Sequence, residues 1–183
     1  KKEPGGGDIY AQWRLGKAYE FGDLGLLTDE VKALKWYRQA AEGGEACAQR
    51  RLGFAYEKGR LGLKIDLEIA LMWFKKAAEG GDARSQCRLG FAYKNGRLGL
   101  KIDLEIALMW IKKAAEGGDA DAQSQLGDAY EDGLLGSKID IEMALMWFKK
   151  AAEDGDFYAQ WRLGKAYEFG ELTLAIDLEA ART

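Results

Sequence analysis

Histidine is absent from this 183-residue chain. Neither a serine nor a cysteine can therefore be paired with an imidazole base, which removes the usual Ser/His and Cys/His nucleophile arrangements. The two cysteines, Cys47 and Cys87, are too few for a disulfide framework. They stand at non-equivalent places in the pattern described below, and read as neutral surface or groove thiols. Three carboxylates remain: Asp121, Asp128 and Asp132 lie at helical spacing. Such a group can attract a hard cation, but that ion wants six or more oxygens. A solvated acidic patch, or a dock for a basic side chain, is the better reading, so no metal and no cofactor is expected. Arg50, Lys58 and Arg84 form a small basic cluster close to the acids. With a net charge of −3, the chain does not look like a nucleic-acid binder.

A repeat must position these side chains. The pair Leu-Gly recurs at Leu15-Gly16, Leu52-Gly53, Leu89-Gly90, Leu126-Gly127 and Leu163-Gly164, each step 37 residues with no insertion or deletion. A fixed period of this size means stacked units, each burying its apolar face only against its neighbours. The units are 8–44, 45–81, 82–118, 119–155 and a partial 156–183. Residues 1–7, KKEPGGG, read as a flexible leader or expression remnant. With Lys1 in place of a methionine, a processed or excised piece is expected. No signal peptide is visible, and the longest apolar run, Ile69–Phe74, is far short of a membrane span.

Each unit reads as two helices. In the third, Asp82 caps a first helix with a Leu89, Ala92, Tyr93 core stripe, ending at Gly96. A Gly- and Leu-rich loop, 97–102, leads to a second cap at Asp103, and the second helix runs to Glu116 before Gly117-Gly118. Gly90 in mid-helix costs about 1 kcal/mol relative to alanine, so its recurrence predicts close helix packing. The fifth unit resembles the first: DIYAQWRLGKAYEFG at 8–22 and DFYAQWRLGKAYEFG at 156–170 differ only at Ile9 and Phe157. Such agreement follows from block duplication, or from an engineered or consensus-derived chain.

The string L-G-x-A-Y, followed by D-x-x-x-A-x-x-W and K-A-A-E-x-G, resembles the Sel-one-like (SLR) repeat family, related to the tetratricopeptide repeat. Gln12, Gln49, Gln86, Gln123 and Gln160 stand where the tetratricopeptide pattern has tryptophan. The longer period and the lack of a terminal proline also favour the SLR assignment, which covers Asp8 to Thr183. The resemblance implies an all-α fold, a right-handed α-solenoid of about four and a half to five helix-turn-helix units, serving as an adaptor for proteins or peptides. A cysteine-rich bacterial branch staples each unit with paired cysteines, and β-lactam binding has been proposed for it. This chain departs from that branch, and no hydrolase activity is carried over.

Comparison between units separates scaffold from site. Positions 3, 6, 10 and 14 of the unit vary most and follow one helical face. In tetratricopeptide-like solenoids the matching face lines a concave groove. Unit one has Tyr10, Trp13, Lys17 and Phe21 there; unit two has Cys47, Arg50, Phe54 and Lys58; unit three has Arg84, Cys87, Phe91 and Asn95. Unit four has Asp121, Ser124, Asp128 and Asp132, and unit five Tyr158, Trp161, Lys165 and Phe169. Aromatic residues and arginine are the common anchors of interfaces, so a groove binding a protein or peptide is expected. Trp13 and Trp161 are expected to face solvent, with little part in packing.

A second stripe lies on the second helices. Thr28, Lys32 and Lys35 in unit one become Ile65, Ile69, Met72, then Ile102, Ile106, Met109, then Ile139, Met143, Met146. A repeated apolar surface marks an interface unless the loop leucines Leu61, Leu63, Leu98 and Leu100 fold over it. The alternative function is therefore a self-assembling module, a homodimer through Ile69, Met72, Ile106, Met109, Met143 and Met146.

Overall fold

The computed structural model describes residues 8–174, 177 and 180–182; the leader expected at residues 1–7 lies outside them. Among the described residues the regular structure is helical, without strands. It comprises α1 (Ile9–Phe21), α2 (Glu30–Glu42), α3 (Ala46–Lys58), α4 (Leu67–Glu79), α5 (Ala83–Asn95), α6 (Leu104–Glu116), α7 (Ala120–Asp132), α8 (Ile141–Glu153) and α9 (Phe157–Phe169). The fold is all-α and of the helical-repeat solenoid class. It divides into two compact units, Lys1–Ser85 and Gln86–Thr183.

Local chemistry accounts for every helix end. The carboxylates of Asp29, Asp66, Asp103 and Asp140 each accept from the backbone N–H three residues on, at 3.0 Å. Each thereby satisfies one donor that a helix start leaves open. The first helices stop at Gly22, Gly59, Gly96, Gly133 and Gly170, all left-handed with φ between 63° and 74°. The second helix of the third repeat ends at Glu116 as expected, and of its two glycines Gly117 keeps a φ of −75° while Gly118 takes the left-handed conformation. There the Asp119 N–H returns to the Ala114 carbonyl at 3.0 Å, closing a Schellman-type stop.

The mid-helix glycine is a packing device. A Cβ on Gly127 would lie 2.7 Å from the Phe148 ring, and one on Gly90 would lie 2.6 Å from Ile111. Phe148 and Ile111 are fully buried, so neither can move aside. First and second helices of a repeat thus meet backbone to buried side chain, a ring at Gly127 and an isoleucine at Gly90.

The loop turns on a leucine the sequence leaves ambiguous. Leu61, Leu98 and Leu135 have φ of 55–56°, and each is followed by a positive-φ glycine. With the Leu63 N–H donating to Arg60 O at 3.0 Å, this is a type I′ turn. A left-handed leucine costs roughly 1–2 kcal/mol. Burial of the side chain, roughly 1.5–3 kcal/mol, offsets it: Leu61 is 3% exposed, Leu98 5% and Leu135 6%. Leu61 enters the core beside Tyr37 and Leu52, and Leu135 the core beside Ile111 and Leu126.

Candidate binding face of the first helices

Gln49 and Gln123, at the position where tetratricopeptide repeats carry tryptophan, are buried. Their side-chain amides donate to Ala41 O at 3.0 Å and Ala115 O at 3.3 Å, and Gln160 donates to Ala152 O at 3.2 Å. Each ties a first helix to the last turn of the second helix before it. This tether sets how one first helix stands beside the next, and so where the variable face points.

That face is more engaged than periodicity suggests. At position 6, Arg50 donates from Nε to Asp82 at 3.2 Å, and Ser124 Oγ donates to Asp156 at 2.6 Å. Both reach the carboxylate capping the next repeat's first helix. Cys87, at the same position, is buried at 5% exposure and so is not a surface thiol. Burial, with Asp119 beside it, pushes that thiol well above the ordinary range. At position 10, Asp128 accepts from the Tyr158 hydroxyl at 2.8 Å. Burial raises the Asp128 carboxyl, opposed by the Tyr158 hydrogen bond. Tyr158 is itself pushed up to about 12 by burial and by Asp128. The acidic trio is therefore no common metal cage: among the described residues no three metal-ligating side chains converge.

The exposed positions are aromatic and charged. Phe21, Trp161 and Phe169 are exposed by 56–57%, and Tyr10 and Tyr158 by 52% and 44%. Lys17, Lys58, Arg84, Asn95, Asp121 and Asp132 are also exposed, and Phe54, Phe91 and Lys165 half-buried. Lys165 Nζ sits 5.5 Å from the Trp161 ring and 5.2 Å from Phe169, a cation–π bridge across the surface. Phe54 instead packs edge-on against Phe74, ring centroids 5.0 Å apart. The two tryptophans do not behave alike. Trp161 is open, whereas Trp13 is half-buried against the core around Tyr37 and Leu52. Because the helices following α1 cover part of it, the expectation that it plays little part in packing is corrected. Beside Trp13 a cleft of about 430 Å³ is lined by Tyr10, Arg14, Lys17, Asp23 and Leu24, among others.

On the second helices, Met72, Met109 and Met146 are exposed by 41–45%, whereas Ile65, Ile102 and Ile139, exposed by 65–67%, lie in the loop just before the Asp caps and not on the helices as expected. Ile69, Ile106 and Met143 are half-buried, Met143 leaning on the core. Of the loop leucines that could cover this stripe, Leu61 and Leu98 are buried and Leu63 and Leu100 half-buried, while the three methionines and three isoleucines at 41–67% stay exposed.

A polar ladder that the sequence reading passed over joins consecutive first helices. Glu20 accepts from Arg51 Nε and from the Tyr37 hydroxyl, both at 2.8 Å. Glu131 accepts from Arg162 Nε at 3.2 Å and pairs with its Nη2. Between α5 and α7 the same two positions hold Lys94 and Gln125, 2.8 Å apart. The signal was legible: positions 13 and 7 of successive units read Glu/Arg wherever position 13 is acidic, and change together at Lys94 and Gln125.

The Sel1 repeat pattern matches residues 9–45, 48–82, 83–119, 120–156 and 157–182. A Sel1 repeat protein of known structure from Oxalobacter formigenes is 36% identical with a TM-score of 0.87, over 96% of this chain and 70% of its own. The protective antigen c5321 of uropathogenic Escherichia coli strains, which displays an SLR fold, is 38% identical with a TM-score of 0.78. That match covers 90% of this chain and 34% of the antigen, so the chain spans about a third of it. The immunity protein PA5088 from Pseudomonas aeruginosa shares the fold at 23% identity and a TM-score of 0.59, over 94% of this chain and 61% of its own. No curated protein matches the chain in sequence. Among the described residues no helix is long and apolar enough to cross a membrane. The chain belongs to the Sel1 repeat family.

Proposed function

We propose that the chain is a non-catalytic scaffold that binds a protein or peptide along the variable face of its first helices. A Sel1 repeat fold suggests a protein-interaction scaffold, and the observation carrying the finer reading is the open aromatic surface of Trp161 and Phe169 on α9. Rings of this size are costly to leave in water, and they anchor a partner with little side-chain entropy to lose. The helices present them already ordered, so binding is spared much of the ordering cost a loop would bear. Arg84, Lys17 and Lys58 on the same variable positions favour a partner segment carrying acidic as well as apolar residues. A peptide array probed with the intact chain tests this. Segments combining both residue types should be enriched, and Trp161→Ala with Phe169→Ala should weaken them by about 2 kcal/mol or more. Unchanged binding by that double variant removes the aromatic surface from the site.

A second reading, self-association through the second-helix stripe, is favoured by the exposure of Met72, Met109, Met146 and the three isoleucines. Burying each such side chain is worth roughly 1.5–3 kcal/mol, and a two-fold pair would use the same face twice. Light scattering of the chain and of Ile106→Lys with Met109→Lys separates the readings. A dimer that becomes a folded monomer supports it; a parent that is monomeric at high concentration ends it.

A further inference from the structure

Across the repeats, the first-helix position occupied by Ala11 and the turn position occupied by Leu24 behave uniformly, except in repeat one. Ala48, Ser85, Ala122 and Ala159 are fully buried, while Ala11 is exposed. Leu61, Leu98, Leu135 and Leu172 are 3–6% exposed, while Leu24 is 68% exposed. Leu24 nevertheless holds the strained left-handed φ of 57°, a conformation that burial offsets at the other four turns.

The occupant can be read from α9, because residues 156–170 repeat residues 8–22 with one change. Repeat four meets α9 at three polar points. Ser124 donates to Asp156 at 2.6 Å, the Tyr158 hydroxyl donates to Asp128 at 2.8 Å, and Arg162 pairs with Glu131. Around them Ala159 and Leu172 join a buried cluster with Ala144, Phe148 and Ala151. Repeat one carries the same five groups, Asp8, Tyr10, Ala11, Arg14 and Leu24, all exposed. Arg14 has no carboxylate partner among the described residues, whereas Arg51 pairs with Glu20 and Arg162 with both Glu131 and Glu171.

We propose that this α1 face is a docking surface for one kind of partner: a further helix pair of the same repeat type, presenting Ser, Asp and Glu at the spacing of Ser124, Asp128 and Glu131. The polar points make the face selective among repeats. A unit of the repeat-three kind would set the ammonium of its Lys94 equivalent against Arg14, and like charges at such a contact disfavour the pairing. A unit of the repeat-four kind sets a carboxylate there. The surface shares Tyr10 with the binding face proposed above but does not use Trp161, Phe169 or Phe21, so the two readings stand or fall separately.

The test uses the full chain, extended by placing a second copy of residues 119–155 directly before Asp8, so that a glycine precedes it as Gly155 precedes Asp156. A parallel chain carries a copy of residues 82–118 in the same place. The repeat-four extension should raise the thermal midpoint by about 5 °C or more and slow amide exchange in α1 at least tenfold. The repeat-three extension should give less than half of either effect, and Arg14→Glu should reverse the order of the two. Equal gains from both extensions, or unchanged exchange in α1, overturn the proposal. Should the extended chains fail to fold, the natural junction in the parent chain decides. Glu131→Lys must lower the midpoint and Arg162→Glu added to it must restore most of the loss; no restoration overturns the selective code.

Discussion

Lys94 Nζ donates to Gln125 Oε1 at 2.8 Å, at the two positions where other junctions hold Glu20 with Arg51 and Glu131 with Arg162. A lysine at the first position is matched by an uncharged acceptor at the second. Both partners are half-buried, so screening by water is incomplete and the match is worth more than an exposed ion pair. Gln125→Arg should therefore destabilise the chain by about 1 kcal/mol, by setting a guanidinium against the ammonium. Lys94→Glu together with Gln125→Arg should recover that loss. A double-mutant cycle of urea midpoints measures the coupling, and additive effects would show that the two side chains do not sense each other.

Gly127→Ala pits local preference against packing. Alanine is the better helix former by about 1 kcal/mol, yet its Cβ would stand 2.7 Å from the fully buried Phe148 ring. Overpacking of this kind costs roughly 1–3 kcal/mol. Thermal melts should show a net loss of stability. A gain would mean that α7 and α8 can separate without penalty.

Asp128 gives the fold an acid-side pH dependence of uncommon sign. Its carboxyl is raised from 3.8, chiefly by burial, so the native state holds its proton to higher pH than the unfolded chain does. The stability this contributes is complete below 3.8 and is lost as pH rises through the raised native value. Relative to Asp128→Asn, which keeps an acceptor for Tyr158, the parent should lose stability on rising through that window and run parallel above it. Urea midpoints over a pH series read this directly. A parent that instead gains on the variant as pH rises would show that the Tyr158 hydrogen bond outweighs burial.

The two cysteines should separate under alkylation. Cys47 is partly exposed, whereas Cys87 is buried with its thiol pushed up. A neutral thiol without access is a poor nucleophile. Mass spectrometry after a brief maleimide pulse should find label on Cys47, and on Cys87 only in denaturant. Equal labelling of both in the native chain would contradict the packing of α5 against α6 and α7.

Much of this protein is fixed by short-range chemistry, and that part is legible in the residues alone. The 37-residue period, the Asp-capped starts, the glycine stops and the close helix packing at the mid-helix glycine all follow from backbone donors, left-handed φ and Cβ volume, which act within a helix or a helix pair. Which variable side chains meet solvent is different. Arg50, Ser124 and Asp128 lie on the same periodic face as Lys58 and Asp132, yet the first three bond across to the adjacent repeat. Trp13 and Trp161 share a local sequence and differ in burial because different helices lie beside them. Leu24 and Leu61 adopt the same turn, but of the two only Leu61 is buried, in a cluster with Tyr37 and Ala40 of α2. Exposure depends on what covers a side chain, and in a stacked fold the cover comes from residues about 37 positions away, beyond the reach of any helical periodicity. Only tertiary packing decides it.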